Sequence, residues 1–146
     1  MVNLLPALNY DSNSIADTEA VAADLASTLR GGECIALDGE LGAGKTQFVR
    51  GLVRALGGDA RTVSSPTFVL LHVYDCRAMK VFHFDAYRVS GGDDLAAIGF
   101  DELLEQNGVT IVEWAAKVRD ILPHDNLIQV RIIATNETSR CIEIVK

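Results

Sequence analysis

The segment Gly39-Glu40-Leu41-Gly42-Ala43-Gly44-Lys45-Thr46 constrains the fold more than any other stretch of this chain. It fits G-x-x-x-x-G-K-[ST], the phosphate-binding P-loop. A glycine-rich loop can match that pattern by chance, so the flanks decide. Upstream, Cys34-Ile35-Ala36-Leu37 is a short apolar run of buried-strand type. Downstream, Phe48, Leu52 and Leu56 recur every four residues with Arg50 and Arg54 between them, which is an amphipathic helix. Strand, glycine loop and helix follow in the order the chemistry needs. The glycines let successive backbone N–H groups turn inward on an anion, and the helix start adds free N–H groups and partial positive charge. In such a loop Lys45 reaches the β- and γ-phosphates, and the Thr46 hydroxyl binds Mg²⁺.

The remaining chain reads as the rest of one α/β domain spanning residues 1–146. That length allows a real core, and 49% hydrophobic with 23% charged residues is ordinary for a globular protein. Residues 1–13 hold a short strand or extended arm. Ser14 is an N-cap with Asp17 three residues on, and Val21, Leu25 and Leu29 continue a helix to Arg30, where Gly31-Gly32 stops it. Gly57-Gly58 closes the P-loop helix. After Val63, loop residues give way to a strand through Val69-Leu70-Leu71, which pairs as a hairpin with Lys80-Val81-Phe82-His83-Phe84-Asp85. Asp93 and Asp101 are placed to cap two short helices, ending at Gly99 and near Gly108. Val109-Thr110-Ile111-Val112 is a buried strand, residues 115–122 are helical up to Pro123, and residues 127–133 and 141–145 form the last two strands. The expected architecture is a P-loop NTPase-like three-layer fold, with a mixed, mainly parallel sheet and antiparallel hairpins.

Charge and cysteines narrow the function. A net charge of −7 argues against a large nucleic-acid face on the chain itself, since neutralising phosphates needs clustered Lys and Arg. Cys34, Cys76 and Cys141 stand far apart and make neither a zinc nor a dithiol pattern. Cys34 and Cys141 read as buried thiols, which suits a reducing cytoplasm. No signal peptide and no run of membrane-spanning length is expected.

A Mg²⁺–nucleotide site needs a carboxylate at the end of an apolar strand beside the P-loop strand. Asp85 and Glu113 both occupy such positions. One would serve the metal and the other the attacking water; the residues alone do not divide these roles, and a solvated strand end is the plainer explanation for either acid taken singly. Ser64, Ser65 and Thr67 flank Pro66 where P-loop switches present a hydroxyl to the γ-phosphate, although the same residues suit an ordinary turn. Tyr87 and Arg88 follow Asp85, and either senses phosphate or meets a partner. Trp114 is either core or a lid over the site. His72, His83 and His124 form no metal set; His83 shares a strand face with Asp85 and reads as structural or supporting.

The P-loop, then Ser65-Pro66-Thr67-Phe68, then His83-Phe84-Asp85-Ala86-Tyr87-Arg88, then Glu113-Trp114, resembles the TsaE (YjeE) family, and the likeness covers nearly the whole chain. These are the small ATPase components of bacterial tRNA threonylcarbamoyladenosine (t6A) biosynthesis. The resemblance implies ATP or ADP with Mg²⁺, weak intrinsic hydrolysis, and binding to the transferase subunit TsaD and to TsaB. In that picture hydrolysis resets the complex, and tRNA is met only through it. By motif position it implies that Lys45 and Thr46 serve phosphate and Mg²⁺, Glu113 is a metal-site acid and Asp85 a Walker-B-like acid. It likewise implies that Thr67 is the switch residue and that Trp114 lies near the nucleotide or a partner. Ala86, Gln47 and Ala115 depart from the family's usual Leu, Thr and Pro, and none of these removes a reactive group.

Other functions remain distinguishable. A GTPase needs an N-K-x-D segment to read guanine, and the chain has none. A small P-loop kinase needs an acceptor pocket and an arginine-bearing lid, whereas the arginines here are dispersed. A nucleotide-gated binding module would bind without turnover.

Overall fold

A computed structural model describes residues 7–64 and 69–146. The centre of the molecule is a seven-stranded sheet, formed by β1 (Leu8–Ser12), β2 (Cys34–Asp38), β3 (Leu71–Asp75), β4 (Lys80–Asp85), β5 (Gly108–Glu113), β6 (Leu127–Ala134) and β7 (Arg140–Val145), in the order β1-β7-β6-β2-β5-β4-β3. β2, the strand before the P-loop, is parallel to β5 and β6, and β5 is parallel to β4. β3 is antiparallel to β4, and β7 is antiparallel to both β6 and β1, so five of the seven strands run one way. The mixed, mainly parallel sheet and the β3–β4 hairpin expected from sequence are therefore present.

Two apolar layers sandwich the sheet, and the strand period of two assigns each residue to one of them. In β2, Ile35 and Leu37 face a core shared with α1 (Ile15–Ala26) and α2 (Lys45–Ala55). Cys34 and Ala36 face a second core under α3 (Gly92–Ala96), α4 (Phe100–Leu104) and the 3₁₀ segment Ala115–Ile121. The same alternation puts Val81, His83 and Asp85 of β4, and Val109, Ile111 and Glu113 of β5, on the side of α2. Phe82, Phe84 and Val112 fall on the other side.

Local chemistry moved several boundaries. α1 ends at Ala26 rather than Arg30, because Ser27 Oγ donates to Asp24 O at 2.6 Å and Thr28 Oγ1 to Leu25 O at 2.7 Å, drawing the last carbonyls out of the ladder. Leu29 remains buried even so. The Ser14 cap forms as expected, its Oγ accepting from Asp17 N at 3.0 Å. Asp93 and Asp101 are not caps: Gly91 and Gly99 precede α3 and α4, and both acids lie in the first turn, where they meet the helix dipole. β3 starts at Leu71, leaving Val69 and Leu70 before it. Residues 115–121 are 3₁₀ rather than α-helix, interrupted at Val118. Of the three thiols, Cys34 is buried, whereas Cys141 is only half-buried.

α1 and α2 pack tightly together at Gly51. A Cβ there would lie 2.6 Å from both Cα and O of Glu19. Helix propensity alone would favour Gly51→Ala by about 1 kcal/mol, but overpacking against backbone costs about 1–3 kcal/mol. We expect Gly51→Ala to lower Tm by a few degrees in a thermal melt; a rise would mean the two helices do not meet there.

Candidate functional site

Parallel register builds the site. Leu37 is opposite Glu113, and Glu113 is opposite Asp85, so the ends of β2, β5 and β4 lie at one level. The P-loop leaves β2 at that level and feeds α2. Gly42 and Gly44 have φ of +79° and +111°, a left-handed backbone that glycine adopts without strain. Gly44 is the N-cap of α2 and offers no side-chain cap, so the first-turn N–H groups are left for another acceptor.

Lys45 opens α2 and is 7% exposed. Its Nζ donates to Gly39 O at 2.5 Å and lies 3.9 Å from the centre of the Trp114 ring. Burial pulls its pKa down, opposed by the negative charges of Glu113 and then of Asp85. Lys45 is thus held folded over its own loop, between a carbonyl dipole and an aromatic face. Trp114 holds the left-handed conformation at φ 56° and is half-buried. It packs on Tyr87 with ring centres 5.0 Å apart. It is therefore a wall of the site, although its inner side also packs on the second core.

The two acids sit in different settings. Glu113 is 3% exposed, and its Oε2 lies 2.6 Å from His83 Nε2. His83 Nδ1 in turn lies 3.1 Å from the Tyr74 hydroxyl. Both ring nitrogens of His83 are satisfied when Tyr74 O–H donates to Nδ1 and Nε2–H donates to Glu113 Oε2. His83 thus takes the supporting role expected from its shared face with Asp85. Tyr74 escaped the sequence reading; its only signal is that β3 pairs it with Val81, on the face that carries His83. Asp85 Oδ1 accepts from Tyr87 N at 2.8 Å. Burial pushes the Asp85 pKa up, and the nearby Glu113 charge adds to the rise, against the pull of the Tyr87 N–H.

Lys45, Asp85, Glu113 and Trp114 line one cleft of about 890 Å³. Of the residues singled out in the sequence, Leu41, Gly42, Gly44, Lys45, Thr46, Asp85, Glu113 and Trp114 border it, joined by Ser14, Ser64 and Tyr87. Gly39, Glu40 and Ala43 belong to the loop but do not border the cleft. Gly39 packs on β6, where a Cβ would meet Ile132 O at 2.8 Å, and Glu40 O accepts from Ala43 N at 3.0 Å. Thr67, with Ser65 and Pro66, lies outside the described residues. Among the described residues no three His, Cys, Asp or Glu side chains cluster as a metal site of their own. The β6–β7 turn also borders the cleft, through Glu137, Thr138 and Arg140.

Removing His83 strips the buried Glu113 carboxylate of its side-chain donor. His83→Ala is expected to cost about 1–3 kcal/mol, and Tyr74→Phe about 1 kcal/mol. Urea unfolding midpoints at equal slope measure both, and a His83→Ala loss no larger than that of Tyr74→Phe would count against the His83–Glu113 bond as the main restraint.

Residues 12–142 match the family described as threonylcarbamoyl adenosine biosynthesis protein TsaE. The Rickettsia conorii tRNA threonylcarbamoyladenosine biosynthesis protein TsaE is 32% identical over 91% of this chain and 75% of its own length. The Treponema pallidum protein of the same name is 37% identical over 84% of this chain and 90% of its own. The crystal structure of Bacillus subtilis YdiB superposes with a TM-score of 0.79 at 26% identity, covering 98% of this chain and 87% of that one. Sequence and fold agree along nearly the whole length, and the chain belongs to the TsaE family of threonylcarbamoyl adenosine biosynthesis proteins.

Proposed function

We propose that this chain binds ATP with Mg²⁺ on its P-loop and hydrolyses it slowly, as the ATPase that resets the t6A transferase complex. One observation carries the reading: Lys45 and Thr46 of the loop share a cleft with Asp85 and Glu113, delivered by two neighbouring strands. Such a cleft has room for a nucleoside triphosphate. The left-handed glycines and the uncapped start of α2 suit phosphate oxygens. ATP is preferred to GTP because no N-K-x-D segment exists to read guanine.

The residues divide the work by setting. Glu113 has one oxygen engaged by His83, and its Oε1 has no hydrogen bond among the described residues, which leaves a fixed anionic ligand for a cation at the cleft. Thr46 supplies the second protein ligand. Held by these residues, Mg²⁺ would offset the negative charge of the phosphates. Lys45 leaves the Gly39 carbonyl for the phosphates, a stronger acceptor for its charge. Asp85, whose proton affinity burial has raised, is the better group to orient a water and accept its proton. Thr67 is the proposed switch hydroxyl on the γ-phosphate, and Trp114 and Tyr87 wall the nucleotide. The net charge of −7 fits a protein that meets tRNA through TsaD and TsaB rather than directly. No helix among the described residues is long and apolar enough to cross a membrane, and we place the protein's work in the cytoplasm with that machinery.

Calorimetric titration should find no ATP binding by Lys45→Ala; binding as tight as wild type would remove the site. Glu113→Gln keeps an oxygen for His83, so it should fold normally while Mg²⁺-dependent phosphate release falls roughly 10²-fold. Release by the wild type should rise when TsaD and TsaB are added. Turnover that survives chelation of Mg²⁺, or transfer of the phosphate to a metabolite, would overturn the ATPase reading.

A further inference from the structure

We propose that Arg140, contributed by the C-terminal hairpin, is a positioning residue that sets the orientation of the P-loop peptides; this rests on the P-loop being the triphosphate site. Arg140 opens β7 and reaches across to the loop. Its Nε donates to Ala43 O at 2.7 Å and its Nη2 to Gly42 O at 3.2 Å. Its Nη1 donates at 2.9 Å to the carbonyls of Asn136 and Ser139 in its own turn. One guanidinium therefore ties two segments nearly a hundred residues apart, using all three of its nitrogens.

The carbonyls it takes are the ones that matter. A peptide is planar and trans, so its C=O and the following N–H point in opposite directions. Holding the Ala43 carbonyl toward Arg140 turns the Gly44 N–H the other way, and that N–H has no acceptor among the described residues. The Ala43 N–H, by contrast, is already bonded to Glu40 O. Gly42 and Gly44 accept either peptide orientation at similar energy, so the loop sequence does not select one by itself. An outside restraint is needed to hold the orientation before an anion arrives, and Arg140 supplies it.

The turn that carries Arg140 is itself braced. Asn136 Oδ1 accepts from Thr138 N at 2.9 Å and Ser139 N at 2.8 Å, and Ser139 Oγ donates to Asn13 Oδ1 at 2.9 Å. No carboxylate among the described residues lies within ion-pair distance of Arg140. Its donors are therefore committed to backbone carbonyls rather than to an anionic side chain. Lysine cannot replace it, since a single ammonium cannot present a planar fork to carbonyls on both sides.

The test uses wild type, Arg140→Ala and Arg140→Lys. Amide ¹⁵N relaxation in nucleotide-free protein reads loop order directly. Wild-type Ala43 and Gly44 should show order parameters near the rigid value of about 0.85, and both variants should fall toward about 0.6. Calorimetry should show ATP and ADP affinities reduced by a similar factor, about tenfold, in both variants, because the defect precedes binding. Unchanged loop order in the variants overturns the proposal. Affinity restored by lysine also overturns it, because charge on phosphate would then be the whole role. If Arg140→Ala fails to fold, Arg140→Lys carries both readouts alone. A wild type that binds no nucleotide sinks the triphosphate reading, and loop order then decides the Arg140 restraint separately.

Discussion

The parallel pairing of β2 with β5, and of β5 with β4, is the constraint on which the rest of the site depends. Parallel strands in register end together, so Leu37, Glu113 and Asp85 finish on one edge. The P-loop leaves from that edge, and α2 returns over the same face on which His83, Asp85 and Glu113 lie. A slip of one residue in β5 would swing Glu113 to the opposite core, under α4 and the 3₁₀ segment. Such a slip is resisted because it would bury a carboxylate among Phe82, Phe84 and Phe100.

Burial then gives these charges distinct properties. Lys45, Asp85 and Glu113 are all nearly out of water, each 8% exposed or less. Unpaired, such groups would be costly, and each has a specific restraint: a carbonyl and an indole for Lys45, a backbone N–H for Asp85, an imidazole for Glu113. The result is a preorganised cleft rather than a flexible one. Tyr74 and His83 extend that order back into the core, so the position of one carboxylate depends on a tyrosine two strands away.

Much of this was legible without coordinates because it follows from short-range rules. The strand–loop–helix unit, the Ser14 cap, the Gly57-Gly58 stop after α2 and the β3–β4 hairpin each rest on a few neighbouring residues. Structure departs from local expectation where local preferences are close to balanced. Ser27 and Thr28 ended α1 early by taking carbonyls from the helix, and acids near Gly91 and Gly99 entered the first turn instead of capping it. Trp114 reads from sequence as either core or lid, and the fold puts it at the cleft wall with its inner side packed on the second core.

By itself the sequence determined the P-loop, the pair of acids at strand ends, the order of the motifs and hence the family, because spacing along the chain encodes each of these. Only the tertiary structure decided that Glu113 is tied to His83 and Tyr74, that Lys45 lies against Trp114, and that Arg140 braces the loop. Those contacts join residues that are 30 to 98 positions apart in the chain, with Tyr74 and His83 the one closer pair, and they exist only once strand register and helix packing bring the segments within hydrogen-bond reach. No local pattern carries that information.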